Sequence, residues 1–533
     1  MIRRRGTMRR LRAQRGVAMI TVLLVGAGLT AVSSVAAYSA INELRSANAD
    51  GRSSKALAYA EAGVDRFITH IRGGTYTFNQ MNRAGCTVAG ITYPPLTIPT
   101  GLVGDEGAYT AEMTVYNPGA LTPENRFARN PAVPGDACTP FYPTGVNGGA
   151  RPTKIIDWPE EGTPPSPTAY FQITATGYVG SVANFSARRV VRQVIRIQPK
   201  GLPIGIYGQN LLVGGSARLI TISAFSETDV QGRNGVDFEG IDPYYTYEDV
   251  FPGGVVCPDL SVCGPTKHVP AAVHAAGTLV FTNNAIEFST GVPNGGVPPT
   301  NCRANKSNSS TQSLWDSDGS SAAGTLTAGC TGQIGRPVHN RFTTADLTRL
   351  ITKVTEDDYE AMKSNAKANG IYCSLPGFGG TGLAQCQVRG ISTGSDFQNG
   401  PETLRAAGVK NYIAYFEYRS GTAAQNSGGT RGVPWNDSVG PCSNDPAVHE
   451  SVTIVIRKGG ISVNGGSTNN GAIIMDGSFE NANGTGFWNG PVISNSRIDA
   501  TGNFDFTLNS CWIDNMGGAF IKVTPTQWFE VDR

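Results

Sequence analysis

The sequence predicts an α+β protein: a long N-terminal helix, a small antiparallel β head, then a large β-rich module. Three observations predict it. A charge-free apolar run opens the chain and continues into a pattern of helical period. Apolar positions then alternate with polar ones, the period of a half-buried strand. Gly (67 residues) and Pro (32) are abundant while charged residues are only 16%, a profile of turn-rich β structure rather than of a cytosolic α/β enzyme.

The first element is the helix. Arg3, Arg4, Arg5, Arg9, Arg10, Arg12 and Arg15 precede Gly16, and no charged side chain occurs from Val17 to Asn42. At about 1.5 Å per residue this run reaches roughly 39 Å, enough for a bilayer core of about 30 Å. Arginines on its N-terminal side predict that this end stays in the cytoplasm and the bulk lies outside. Leu57, Ala60, Val64, Phe67 and Ile71 then recur at three- and four-residue spacing, so one helix is expected over 17–72, with its membrane segment at 17–42. Gly51 is a candidate bend. A cleaved export signal, with Ser34-Val35-Ala36 as its small-residue site, is the competing reading. The apolar run is too long for it, and the helical pattern continues past the cut.

Within this region QRGVAMITVLLVGAGL resembles the leader of type IV pilins and pseudopilins, and ALAYAEAGVDRFI is similar to a stretch of the PilX-type minor pilins. The resemblance covers about 60 residues and implies several things. Residues 1–16 are a basic leader. A prepilin peptidase cuts after Gly16 and methylates Val17. The partners are other pilins, the inner-membrane assembly platform and the membrane itself. Major pilins carry Glu at the fifth mature position, where this chain has Thr21. In the family that carboxylate is thought to pair with a neighbour's N-terminal amine, and a hydroxyl cannot neutralise a charge. The resemblance therefore narrows to a minor subunit that starts or tips a filament.

The antiparallel head is expected over 73–200. Tyr109, Ala111, Met113 and Val115 alternate with polar residues, and strands are read at Tyr170–Thr176 and Ala187–Gln198. The pilin resemblance implies that this sheet covers the C-terminal half of the helix, with Leu57, Val64 and Phe67 as the buried contacts. Arg188, Arg189, Arg192 and Arg196 are read as a solvated strand face or a basic strip.

The remaining chain reads as a β-solenoid in two halves, 201–290 and 451–533, with a jelly roll or sandwich as the alternative. Its strands are read at Ile204–Tyr207, Leu211–Val213 and Leu219–Ile222, then at Val452–Ile456, Ile461–Val463, Ala472–Met475, Pro491–Ile493 and Phe504–Leu508. Asn464, Asn469, Asn470, Asn481, Asn483, Asn489 and Asn495 stand in the turns, either stacked as ladders or supplying left-handed positions. Residues 291–450 are read as an insertion on the side or end of the module. It carries one helix, capped at Thr343 or Thr344, broken near Thr355 and ended at Gly370, and a strand at Tyr412–Tyr418.

Ten cysteines stand at Cys86, Cys138, Cys257, Cys263, Cys302, Cys330, Cys373, Cys386, Cys442 and Cys511. An even number, all beyond the apolar run and none in a C-x-x-C pair, predicts disulfides in an oxidising compartment. Connectivity is open; pairing in chain order (86–138, 257–263, 302–330, 373–386, 442–511) is the simplest.

The chemistry expected is sparse. GFGGTG at 377–382 formally matches a dinucleotide loop but is read as following Cys373-Ser-Leu-Pro rather than a strand, with no helix after it. Asp316, Asp318 and Gly319 resemble a truncated calcium loop lacking its bidentate acid. His70, His268, His274, His339 and His449 are isolated. The seven leader arginines exceed the net charge of +2, so the remainder is acidic and nucleic-acid binding is not indicated. The reading is a subunit without catalysis, cofactor or metal, displayed at the cell surface for assembly, adhesion or secretion. Its rival is a membrane-tethered enzyme acting on polysaccharide, with Asp499, Asp505 and Asp514 on neighbouring rungs. A surface or polysaccharide receptor is a candidate partner in either case.

Overall fold

The computed structural model describes residues 7–116, 169–200, 205–239 and 354–531 apart from short interruptions, with isolated strands between 273 and 339. A 66-residue helix, α1 (Thr7–Arg72), leads into a large β-rich region. Its length corresponds to about 99 Å. It runs through both Gly16 and Gly51, so neither glycine breaks it; residues 7–16 of the leader are helical as well.

The C-terminal third of α1 lies on an antiparallel sheet. The sheet order is Leu96–Thr97, Gly107–Val115, Ala169–Gly180, Phe185–Pro199 and Ile521–Val531, with Gly101–Val103 also paired to Gly107–Val115. Met113, Phe171, Ile173, Ala175, Val191, Ile195 and Ile197 bury their side chains here, together with Ala56, Ala60, Phe67 and Ile71 of the helix. Each alternates along its strand with residues of the opposite face, as a sheet covered on one side by a helix requires. A short helix, α2 (Phe78–Arg83), follows α1 and is capped by Thr77, whose side chain accepts from the Gln80 amide.

The last strand of this sheet corrects the expected domain boundaries. Ile521–Val531 pairs antiparallel with Phe185–Pro199, from Ile521 opposite Pro199 to Val531 opposite Val190. Residues 521–531 therefore belong to the head, and everything from 200 to 520 is inserted between two adjacent strands of one sheet. Alternating Val, Trp and Phe in IKVTPTQWFEV suits either assignment, so the pattern alone did not separate them.

Inside that insertion the strands run mostly parallel, in three ladders visited in turn. One ladder places Ile371, Ala414, Ile454, Ile473, Val492, Ile206 and Ala224 in successive register. A second stacks Val433, Ile461, Phe479, Ile498, Leu211 and Val230. The third runs through Asn470, Asn489, Thr507 and Ile220. One circuit takes 18 or 19 residues, as between Ile461 and Phe479 or Ile473 and Val492. The order is permuted: the circuit ending near Thr507 stacks on the one beginning at Ile206, so the chain enters and leaves the stack at its middle.

The expected insertion at 291–450 is also corrected. Strands Ile371–Leu375, Asn411–Tyr418 and Val433–Trp435 lie within the parallel ladders, not beside them. Long connections separate their register partners, which hid the repeat. The helix of this region, α3 (Glu356–Asn369), is capped at Thr355 and ends at Gly370. Residues 340–353, including Thr343 and Thr344, lie outside the described ones. Beyond it α4 (Gly400–Ala406) covers the end of the stack with buried Leu404.

A disulfide joins Cys373 and Cys386, directly opposite each other on an antiparallel pair. Cys86 and Cys442 are also disulfide-bonded. Cys138, Cys257, Cys263, Cys302, Cys330 and Cys511 lie outside the described side chains, as do Asp316, Asp318 and Asp514.

Candidate assembly surface

The feature that sets this molecule apart is the uncovered half of α1. Met19, Leu24, Leu29 and Val35 are 63–70% exposed, and the apolar residues from Ile20 to Leu44 around them are likewise bare. Among the described residues this is the one helix long and apolar enough to cross a membrane. Two of its hydroxyls, Thr30 and Ser34, close within the helix. Thr30 Oγ1 donates to the carbonyls of Gly26 and Ala27 at 3.0 and 2.9 Å, and Ser34 Oγ to that of Thr30 at 2.7 Å. A helix that closes its own polar groups can enter an apolar surrounding without the cost of an unmade hydrogen bond. Thr21 lies on this bare stretch; Gly16 and Val17 lie at its N-terminal boundary, within the same helix.

Where α1 meets the sheet, small residues set the distance. Ala56 and Ala60 are fully buried. A Cβ added at Gly177 would fall on the Ala56 carbonyl oxygen and the Ala60 amide, and one at Gly63 would stand 3.1 Å from Tyr109 and 3.3 Å from Ala175, closer than ordinary contact. The Ala-rich stretch of α1 is thus a flat face against which a β-strand backbone lies directly. Sequence reading found the larger contacts, Val64 and Phe67, but not Gly177; its signal was the run of small residues at 56, 60 and 63.

Polar contacts frame this seam. Lys55 Nζ and Glu106 Oε2 form an exposed ion pair at 2.8 Å; the hydrogen bond to Glu106 holds Lys55 above its ordinary pKa and lowers that of Glu106. Arg189 Nε donates to Ser53 Oγ at 2.6 Å and Arg189 pairs with Glu530 at 3.2 Å. Arg189 is opposite Gly177 and so shares the helix-facing side, whereas Arg188, Arg192 and Arg196 fall on the other side by the two-residue period. The four arginines therefore do not form one strip.

At the other end of α1, α3 is wedged between the head and the parallel stack. Asn365 Nδ2 donates to the Gly73 carbonyl at 2.6 Å, and Lys200, where the chain leaves the head, pairs with Asp358. Arg457 holds α3 to the stack: it donates to both Glu356 oxygens at 3.1 and 3.0 Å and to Asp476 at 3.1 Å, and its guanidinium lies 3.9 Å from the Tyr359 ring centroid. A cavity of about 380 Å³ remains between head and module, lined by His70, Tyr76, Asn365, Lys410 and Tyr412 among others. Burial, with Arg66 nearby, lowers the His70 pKa to about 4.

The other residues of chemical interest are dispersed. Asp499 and Asp505 share the strand Arg497–Thr507 but sit in different ladders, Asp499 opposite Leu212 and Asp505 opposite Arg218. His70 and His449 lie in different surroundings, His449 buried near Ser443. GFGGTG follows a strand after all, Ile371–Leu375, yet it is the loop of an antiparallel pair closed by Cys373–Cys386. Phe378 N there donates to Asn426 Oδ1 at 2.7 Å, and no helix opens from it. Of the asparagines expected in turns, Asn469, Asn470, Asn481 and Asn489 lie in strands instead, and Asn489 Nδ2 donates to Asn470 Oδ1 at 3.1 Å on the adjacent circuit, a one-step ladder. Among the described residues no group of three metal-ligating side chains converges.

No family model matches the chain, and no curated protein does. A solved structure, the competence-associated pilin ComZ from Thermus thermophilus, matches over 90% of this chain and 98% of its own, at 12% identity and a TM-score of 0.19.

Proposed function

We propose that this chain is a minor pilin-like subunit, anchored by the bare half of α1 in the inner membrane and drawn from there into a surface filament. The observation that carries the reading is the division of one continuous helix. The large apolar side chains from Met19 to Leu44 are uncovered, while one face of Ala56–Ile71 is buried under an antiparallel sheet. An uncovered apolar surface of this extent needs lipid or neighbouring helices around it. The leader resemblance adds cleavage by a prepilin peptidase between Gly16 and Val17, and the resemblance of ALAYAEAGVDRFI to the PilX-type minor pilins adds PilX-like character. Thr21 in place of an acid suits a subunit at the start or tip of the filament, where no neighbour's amine has to be neutralised. The parallel coils are read as a β-solenoid held between two head strands, displayed outside the cell for assembly, adhesion or secretion, with no catalytic step.

Immunogold labelling of the module tests the position in the filament. Sparse label concentrated at filament ends is expected, and Thr21→Ala should leave it unchanged. Uniform label along the shaft would show a major subunit and overturn the account of Thr21.

A further inference from the structure

We propose that the membrane-proximal rim of the head is a lipid-contacting surface that seats on the phospholipid headgroup layer; this rests on the membrane reading above. The strands Ala169–Gly180 and Phe185–Pro199 are joined by a turn, and Gly180 and Asn184 there line one wall of an open groove of about 590 Å³ whose other wall is α1 at Ala47, Asn48 and Gly51. The neighbouring hairpin comes down beside it: Gly180 N donates to the Glu106 carbonyl at 2.7 Å, and Glu106 pairs with Lys55. The groove between head and helix thus runs down to Ala47, about one turn beyond Leu44, the last exposed large apolar residue of the bare stretch. From Asn42 to Ala47 the helix rises about 8 Å, comparable to the thickness of one interfacial layer. The head therefore has no stalk; its rim lies where headgroups would be.

The side chains at that level suit this position. Val182, in the turn, is 38% exposed, Phe185, which opens the strand after it, 47%, and Leu102, in the neighbouring strand Gly101–Val103, 80%. Phe185 is fixed by Tyr178, ring centroids 5.4 Å apart. Around them Arg45, Arg52 and Arg188 are exposed, with Glu43 and Asp50 on the same stretch of α1. An apolar ring seated at the acyl boundary with guanidinium groups at phosphate level is how interfacial side chains divide. Continuity with the spanning helix selects lipid as the occupant over a second copy of the chain.

The test uses the full chain reconstituted at one copy per phosphatidylcholine vesicle. Phe185→Trp and, separately, Val182→Trp add an emitter at the rim, and Leu29→Trp adds one within the span. Lipids brominated near the ester end of the acyl chain should quench the emission added at 185 and 182. Lipids brominated near the methyl end should quench that added at 29 and leave the rim emitters bright. Quenching at 29 with none at 185 or 182 would overturn the rim proposal and leave the span standing. No quenching at 29 would overturn the span itself. Rim emission that changes only as copies per vesicle rise would assign the surface to a second copy and overturn the lipid assignment.

Discussion

The two halves of α1 have the same backbone and opposite surroundings. Between Met19 and Leu44 large apolar side chains stand bare around the whole circumference. Between Ala56 and Ile71 the apolar residues are confined to one face, and that face is buried against Phe171, Ile173, Val191 and Ile195. The difference lies in the polar residues: Glu61, Asp65 and Arg66 keep one side of the second half in water, while the first half has no charged residue from Val17 to Asn42. A helix apolar all round is made for an apolar surrounding; a one-sided helix is made for a sheet. The structure fuses both without a break.

Truncation on each half sharpens the contrast. Phe67 is fully buried and stacks on Tyr76 at 5.6 Å. Phe67→Ala should cost about 3–5 kcal/mol of head stability, read by chemical unfolding in detergent. Leu24→Ala, of a residue 67% exposed, should change head stability by no more than about 0.5 kcal/mol. Equal costs at the two positions would mean that the bare half is covered by this chain's own residues.

A smaller effect concerns acid. His70, at the end of the docked half, has a folded pKa lowered to about 4 from an ordinary 6.5. The unfolded chain then binds more protons than the folded one between those values. Its contribution is whole above about pH 6.5 and is lost as pH falls towards 4. Because the ring is partly open to solvent, about 1 kcal/mol is expected. His70→Gln should flatten the slope of stability against pH over that window; an unchanged slope would place the titrating group elsewhere.

Legibility in the sequence followed how local each signal was. The helix, its apolar limits and the alternation at Tyr109–Met113 rest on neighbours within a few residues, and all were readable. The strands at Ile461–Val463 and Val492–Ser494 were readable as strands for the same reason. What was not readable was who pairs with whom. Val492 stacks on Ile206, and Val531 lies opposite Val190, pairings set across hundreds of residues by which apolar edges remain open. The circuit of 18 or 19 residues was obscured where long connections intervene, as between Tyr412 and Val452. Of the assembly surface, Gly16, Val17 and Thr21 were named from the leader pattern; the rim at Val182 and Phe185 was not, because only the folded sheet sets that hairpin across the groove from Ala47 and Asn48.

Processing of the bare half of α1 as a pilin-type segment is the proposal on which the rest depends. Mass spectrometry of the chain's N-terminus, after expression with a prepilin peptidase, tests it most directly. The account predicts a mature chain starting at N-methylated Val17, and full-length chain when Gly16→Val blocks the cut. A chain starting near Ala37, with the apolar segment removed, would contradict it.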